Sequence, residues 1–277
     1  MSDSPTDGRL EQVLADLDAL GDQLAGVLEG RPEDDWRTPT PADGWDVATS
    51  IAHLAWTDEC AVLAAQAHEG EQGKAAWDAL VLEAMGDPDG FVDAAALAGG
   101  SIPPQNLLDR WHSSRRDLAA ALRAVPDGVR LPWFGPPMSP TSMATARYME
   151  TWAHGQDVHD ALGVSPQPAP GLQHVCHLGV RTRGFSFANA GEPVPEADVR
   201  VELAAPDGEI WTWGAEDAAD KVTATARDFA LLVTQRRHLD DLDVRAVGAV
   251  AEAWVRIAQA FAGPPGGGRE PSGDADA

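Results

Sequence analysis

The stretch that decides the fold is Ser139-Pro-Thr-Ser-Met-Ala-Thr-Ala-Arg-Tyr-Met-Glu150-Thr-Trp-Ala-His154-Gly-Gln-Asp157. Ser139 is a good N-cap, Pro140 suits the first helical position, and Gly163 lies where a helix would end. Since a helix turns by about 100° per residue, Glu150 and His154 lie one turn apart on the same face. The pattern therefore predicts a carboxylate and an imidazole held side by side on rigid backbone.

A second predicted helix, Trp45-Asp-Val-Ala-Thr-Ser-Ile-Ala-His53-Leu-Ala-Trp56, carries a histidine among apolar residues. If the two helices pack together in a bundle, His53, Glu150 and His154 form the two-histidine, one-carboxylate set of open catalytic zinc sites. Two other interpretations stay open. Glu150 and His154 can make a surface contact between residues four apart, and His53 can be a core histidine whose hydrogen bonds are satisfied.

Three further side chains near the motif have predicted positions. Arg147 and Asp157 fall on the same stripe as Glu150 and His154, where they can orient ligands or bind an anionic substrate. His159 points to about the opposite side of the helix, so we expect it to lie outside any site.

The spacing of apolar residues predicts three more long segments of the N-terminal half. Leucines and valines at helical spacing indicate a first helix over 10–27, the second helix continues through 58–65, and a third spans 104–122. A less regular acidic region separates the second helix from the third. Leu131-Pro-Trp-Phe-Gly-Pro-Pro-Met138 is a rigid aromatic loop that leads into the fourth helix. Up-and-down connection of four helices would place the ligands inside the bundle.

Beyond residue 190 the apolar period changes from helical to alternating. Strands are predicted at 199–203, 209–213, 221–225 and 243–247, with helices at 228–238 and 250–261 and one more helix at 172–185. We therefore expect a helix bundle over 1–165, a linking helix within 166–190, a small α+β domain over 191–263 and a disordered tail over 264–277. The sequence contains no P-loop, dinucleotide fingerprint or Gly-x-Ser-x-Gly elbow.

Composition predicts a folded, cytoplasmic protein. Of 277 residues, 44% are hydrophobic and ten are tryptophan, which suffices for one sizeable core and a smaller one. No run approaches the roughly 18 apolar residues of a membrane span, and the N-terminus lacks the features of a signal peptide. Cys60 and Cys176 lie in different predicted elements, so we expect two buried cysteines rather than a disulfide or a catalytic thiol.

The formal charge of −24 limits the partners of this chain. A surface that acidic repels phosphate backbones and anionic lipid, which argues against nucleic acid and membrane. Against that background the pairs Arg181/Arg183 and Arg236/Arg237 point to an anionic small molecule. The alternative is that these arginines pair with nearby carboxylates.

Several blocks together resemble one known family. They are Gly44-Trp45-Asp-Val, Ile51-Ala-His53-Leu-Ala-Trp56, the run from Met143 to Val158, His177-Leu-Gly-Val-Arg181-Thr-Arg183-Gly-Phe185 and Val233-Thr-Gln-Arg236-Arg237-His238. With these blocks the chain is similar to the DinB-like, mycothiol-dependent maleylpyruvate isomerase group, and more narrowly to its actinobacterial branch named for wyosine base formation.

The resemblance implies a two-domain α plus α/β fold, in which a DinB-like four-helix bundle precedes a small sterol-carrier-like α+β domain. It implies a divalent metal, usually zinc, held by His53, Glu150 and His154, and mycothiol as the thiol. In the isomerase an arginine of the C-terminal domain faces the metal pocket, and the matching region here contains Arg236 and Arg237.

These observations predict a metal-dependent enzyme that activates a mycothiol-type thiol for addition to a small electrophilic, carboxylate-bearing substrate, as an isomerase or a thiol S-transferase. We expect catalytic roles for Arg236, Arg237 and Asp157, and thiol or cofactor contacts from Arg147, Arg236 and Arg237. One alternative is a hydrolase that uses metal-bound water, with Asp157 or Asp58 as base; another is a non-catalytic metal-binding module. Both a monomer and a homodimer are compatible with the sequence.

Overall fold

The computed structural model describes residues 5–263, 266 and 268–273, and the chain divides into two compact units, Met1–Pro170 and Gly171–Ala277. Within the described residues the first unit is helical. Its elements are α1 (Pro5–Leu28), α2 (Glu33–Trp36), α3 (Val47–Gln66), α4 (Glu71–Gly86), α5 (Phe91–Gly100), α6 (Pro104–Ala124) and α7 (Pro140–Leu162).

The long helices α1, α3, α6 and α7 form the predicted four-helix bundle. α1 packs on α7, α3 packs on both α6 and α7, and α6 also contacts α1. Leu24, Ile51, Leu107, Trp111 and Val158 are among the buried side chains between these helices. Burial of each such side chain contributes roughly 1.5–3 kcal/mol, so the two helices that carry the candidate ligands are anchored to a packed core.

Local signals set the ends of the two ligand helices. The Asp46 carboxylate accepts hydrogen bonds from the Thr49 backbone N–H and hydroxyl, both at 2.7 Å, so α3 begins at Val47 and Trp45 lies before the helix rather than within it. Ser139 caps α7 by accepting from the Ser142 backbone N–H at 3.1 Å. Gly163 ends α7 in the left-handed region, at φ 63°.

The acidic region between the second and third predicted helices folds into α4 and α5, which the sequence analysis missed. α5 ends in Gly99 and Gly100, and a Cβ at Gly100 would lie 2.9 Å from Thr49 Oγ1 and 3.1 Å from Thr49 Cα. A Cβ at Gly99 would lie 2.9 Å from Ala52 Cβ. The glycine pair therefore permits close packing of α5 against the first turns of α3, although the same pair suggests a loop when it is seen in sequence.

The second unit is a small α+β structure. Its elements are α8 (Gln173–Arg181), α9 (Arg183–Asn189), β1 (Val199–Ala204), β2 (Ile210–Trp213), β3 (Asp220–Thr225), α10 (Ala226–Val233), a 3-10 turn (Leu239–Asp241), β4 (Val244–Val247) and α11 (Ala249–Ile257). The sheet order is β2-β1-β3-β4, with β1 and β3 parallel and the outer strands antiparallel to them. The two-domain fold class predicted from the sequence is confirmed, including all four strands.

Two predicted helices of this unit differ in the structure. The helix expected over 172–185 is interrupted at Thr182, whose hydroxyl donates to the Leu178 carbonyl at 3.0 Å. α10 ends at Val233 instead of continuing to residue 238, because Gln235 adopts φ 57° and the Arg236 N–H donates back to the Leu231 carbonyl. This is a Schellman-type helix end, so Arg236 and Arg237 follow the helix rather than lie on it.

The C-terminal helix is also shorter than expected. The prediction was 250–261, but α11 ends at Ile257, and the Ala260 N–H donates to the Val233 carbonyl at 2.7 Å. The predicted tail over 264–277 lies partly outside the described residues. Its described part contains neither helix nor strand, and Ser272 hydrogen-bonds the Asp241 carboxylate through its hydroxyl and backbone N–H.

A search of the described residues finds no helix with both the length and the apolar character of a membrane span.

We expect Gly100→Ala to destabilise the first unit by about 1–3 kcal/mol, because the added methyl group meets the backbone of Thr49, which cannot move without shifting α3. The matched control is Gly26→Ala on α1, where a Cβ meets nothing within 4 Å and the gain in helix propensity reaches about 1 kcal/mol. Denaturant unfolding of the metal-free proteins measures the free energy of unfolding of both variants. A Gly100→Ala protein as stable as wild type would show that α5 does not pack this closely on α3.

Candidate metal centre

The structure brings the three candidate ligands together inside the first unit. His53 comes from the middle of α3, and Glu150 and His154 lie one turn apart on α7. Nε2 of His53 and Nε2 of His154 each lie 3.4 Å from Glu150 Oε2, and the three ligand atoms all lie within 4.8 Å of one another. Ligand atoms about 2.1 Å from one tetrahedral zinc ion are about 3.4 Å apart, so this spacing fits a single ion.

The protonation states of two of these side chains, His53 and Glu150, also suit a cation. Burial lowers the pKa of His53 to about 4, although its hydrogen bond with Glu150 acts in the opposite direction. Burial by itself would raise the pKa of Glu150, but hydrogen bonds with His154 and His53 and the charge of Arg147 hold it well below the ordinary value. Neutral imidazole and ionised carboxylate are the forms that bind a metal.

Asp157 and Arg147 are two further buried side chains that contact the candidate ligands. Asp157 is buried, with one carboxylate oxygen 3.3 Å from His154 Nδ1, the ring atom on the far side from Glu150. A carboxylate beside this nitrogen orients the ring of a metal-binding histidine by its charge, although this contact is not aligned as a hydrogen bond. Arg147 is also buried; its Nη2 lies 3.8 Å from Glu150 Oε1, and its guanidinium carbon lies 5.4 Å from the Trp133 ring centre. His53 Nδ1 is buried and has no hydrogen-bond partner among the described residues.

Trp45 packs against both histidine rings, a role that the sequence analysis missed. Its ring stacks on His154 at 5.5 Å and 18°, and tilts against His53 at 5.0 Å and 54°. The indole N–H donates to the Asp93 carboxylate of α5 at 3.2 Å. The sequence feature that could have indicated this contact is the position of Trp45 immediately before Asp46, which caps α3.

An aromatic cluster extends from His53 toward Arg147. It is defined by Trp56, Trp77, Phe91, Trp133 and Phe134, each in ring contact with another member at 5.1–6.0 Å. Trp56 lies 6.4 Å from His53, and Trp133 contacts Arg147. The cluster thus joins α3, α4, α5 and the predicted aromatic loop along one side of the candidate site.

Asp58 and His159 lie outside the ligand group. Asp58 is buried beside α6, where the Ser114 hydroxyl donates to it at 3.4 Å. Burial raises the pKa of Asp58 to about 7 against the opposing charges of Arg147 and Arg115. His159 contacts its own helix instead, with Nδ1 2.6 Å from the Gly155 carbonyl oxygen.

The two cysteines are free and buried, as predicted. Burial raises the pKa of the Cys60 thiol to about 12 and also raises that of Cys176. Both thiols are therefore protonated at neutral pH, which makes them poor nucleophiles.

Arg236 and Arg237 belong to the second unit. Arg236 Nη1 donates to the Thr234 carbonyl at 2.7 Å, and Arg237 Nη1 donates to the Arg236 carbonyl at 2.6 Å. Arg237 also lines a cleft of about 290 Å³ in this unit, together with Arg256 and Arg269. These contacts hold the guanidinium groups near the end of α10.

Comparison with known proteins supports the resemblance in the motifs. The family described as the mycothiol maleylpyruvate isomerase N-terminal domain matches residues 17–159, and the family described as wyosine base formation matches residues 195–247. Two relatives, named as uncharacterised proteins of Mycobacterium tuberculosis strains CDC 1551 and H37Rv, are each 50% identical over 256 residues, which cover 92% of this chain and 97% of the relative.

Two solved structures have a similar fold. The crystal structure of the mycothiol-dependent maleylpyruvate isomerase matches with a TM-score of 0.58 at 14% identity, covering 86% of this chain and 92% of that chain. A histidine-to-alanine mutant of that isomerase matches with a TM-score of 0.60 at 14% identity, covering 85% of this chain and 92% of the mutant chain.

We expect the metal-free protein to lose stability as the pH falls from 6.5 towards about 4, because His53 is held neutral in the folded state. The unfolded chain takes up a proton on His53 at about pH 6.5, and the folded chain does so only near pH 4. The contribution of His53 to the free energy of unfolding is therefore complete above pH 6.5 and is lost progressively below it. The whole shift is worth about 3 kcal/mol.

Denaturant unfolding of His53→Leu at several pH values measures this contribution, and the variant should show a shallower loss than wild type. His68→Leu is the control, since it makes the same change at a histidine outside the site. Parallel pH curves for wild type and His53→Leu would contradict a neutral, buried His53.

Proposed function

The chain belongs to the family of the mycothiol maleylpyruvate isomerase N-terminal domain, and we propose that it is a metal-dependent enzyme that uses a low-molecular-weight thiol of the mycothiol type. The observation that carries the proposal is the convergence of His53, Glu150 and His154 at the spacing of one tetrahedral ion. Zinc suits two imidazoles and a carboxylate best.

The three ligands would leave one coordination position for a small molecule. A divalent metal held there lowers the pKa of a bound thiol and so supplies a thiolate at neutral pH. The protein has no reactive thiol of its own among the described residues, because Cys60 and Cys176 are buried and protonated. A thiol nucleophile would therefore have to come from outside the protein, in agreement with the thiol-dependent family.

The surrounding residues have supporting roles in this proposal. Asp157 would keep Nε2 of His154 directed at the ion through the charge that it places beside Nδ1, and Arg147 would hold Glu150 ionised and in place. Trp45 would exclude water from the ring faces of both histidines. Arg147, Arg236 or Arg237 would bind a carboxylate of the substrate or the thiol.

The reaction begins when the thiolate sulfur adds to one carbon of a conjugated double bond, and the electron pair moves into the neighbouring carbonyl. An isomerase would allow rotation about the resulting single bond and then break the carbon–sulfur bond, which returns both thiol and alkene. An S-transferase would protonate the carbanion and release the adduct. The two outcomes differ in whether the thiol is consumed.

A hydrolase is less well supported, because both candidate bases are engaged by other groups. Asp157 is engaged with the Nδ1 side of His154, and Asp58 accepts from Ser114. A non-catalytic module would bind metal but no thiol.

We expect purified protein to bind about one divalent ion per chain, since three protein ligands define one site. The double variant His53→Ala/His154→Ala should retain none after dialysis, as measured by elemental analysis. His159→Ala is the matched control and should keep its metal, because that ring lies outside the group. Loss of metal from His159→Ala with retention in Glu150→Ala would require a different ligand set.

Thiol binding provides a test that does not depend on turnover. We expect mycothiol to produce a thiolate-to-metal charge-transfer band in the near ultraviolet when it is added to Co²⁺-loaded protein, and S-methylated mycothiol to produce none. A mycothiol titration without any band would exclude the thiol mechanism. Mass spectrometry with maleyl-type electrophiles then distinguishes isomerisation from adduct formation.

The arginine roles are tested with Arg236→Met and Arg237→Met. We expect at least one variant to keep its metal, its thermal stability and the thiol band while its KM for a carboxylate substrate rises by about tenfold or more. Arg227→Met, a change at an exposed arginine of α10, is the control. If both variants bind substrate normally and only stability falls, the arginines are structural.

A further inference from the structure

A second cleft in the C-terminal unit is lined by residues that the proposed reaction does not use. It has a volume of about 410 Å³ and lies among α8, the start of α9, the sheet and α11. Its floor is apolar and buried, formed by Val199, Val201 and Trp254. Arg181, Arg183 and Trp213 are among its other lining residues.

The polar groups of this cleft are mainly donors. Arg181 is exposed, and its guanidinium makes no hydrogen bond or ion pair among the described residues. Arg183 uses Nη1 for the Ala197 carbonyl at 2.9 Å, and a guanidinium has further N–H groups to donate. Cationic donors above an apolar floor suit an anionic group attached to an apolar body.

Trp254 adds an aromatic surface to the floor. This residue is 1% exposed, and its indole nitrogen is enclosed by protein atoms, with no hydrogen-bond partner within the part of the chain that the structure describes. A molecule in the cleft therefore meets the ring of Trp254 rather than its N–H. Trp254 packs its ring on Phe229 at 5.8 Å and also lines the cleft.

The carboxylate of Asp198, which also lines the cleft, does not oppose an anion strongly. Its two oxygens accept from the backbone N–H groups of Val199 at 3.1 Å and Ala215 at 2.9 Å. The negative charge is thus directed to the protein backbone, whereas the Arg181 guanidinium has no acceptor among the described residues.

We propose that this cleft is a binding site for a small organic carboxylate with a flat apolar body. The carboxylate lies against Arg181 and Arg183, and the body lies on the apolar floor beside Trp213 and Trp254. The site involves residues of the second unit alone and does not depend on the proposed metal chemistry.

The test uses full-length protein, 2-naphthoate as probe and uncharged 2-naphthamide as its matched control. In ¹⁵N-labelled protein the indole N–H signals of Trp213 and Trp254, assigned with Trp→Phe variants, should shift during the naphthoate titration. Arg181→Met should weaken binding by about tenfold or more, whereas Arg227→Met, which removes the same charge elsewhere in the unit, should leave the affinity unchanged.

Any of these results would overturn the proposal: no shift at Trp254, equal binding of the amide, or equal weakening by Arg181→Met and Arg227→Met. The His53→Ala/His154→Ala protein should bind the probe as wild type does. This control distinguishes binding in the cleft from binding at the candidate metal centre. Loss of probe binding in the double variant would place the probe at the metal site instead.

Discussion

The partly buried carboxylate of Glu150 is the constraint around which the first unit is organised. A carboxylate removed from water is costly unless it is paired, and here two imidazoles and a guanidinium offset that cost. His53 approaches from α3, His154 from the next turn of α7, and Arg147 from the preceding turn. The helix bundle must therefore hold α3 and α7 in one register, because a displacement of either helix would separate His53 from the carboxylate.

Several features outside the ligand group maintain that register. Asp46 and Ser139 define where the ligand helices begin, and buried Ile51 and Val158 anchor them in the core. α5 packs closely on α3 through its terminal glycines and also positions Asp93, which holds the indole of Trp45 against the histidine rings. The region between the second and third bundle helices thus contributes to the site without supplying a ligand.

The arginine pairs of the second unit lie at helix ends rather than along a helix face. A helix end with left-handed Gln235 separates Arg236 and Arg237 from α10, so their positions depend on backbone hydrogen bonds rather than on a helix face. Arg181 and Arg183 flank the break at Thr182 and line a separate cleft. In a protein of net charge −24, these groups are local exceptions to an acidic surface.

The sequence by itself determined the features that depend on local patterns. Helical spacing and capping residues located α7 and placed Glu150 and His154 on one face, and alternating residues located the strands of the second unit. Helical periodicity also predicted that His159 lies outside the ligand group. These predictions succeeded because they rest on interactions between residues close together in the chain.

Only the tertiary structure decided which distant groups meet. Trp45 contacts His53 and His154, and Trp254 lines a cleft with Arg181, because of packing between separate elements. α5 was missed because its terminal glycines are favourable only when α3 lies against them. The end of α10 at Val233 likewise depends on a left-handed glutamine, which intrinsic propensity disfavours and backbone hydrogen bonds stabilise.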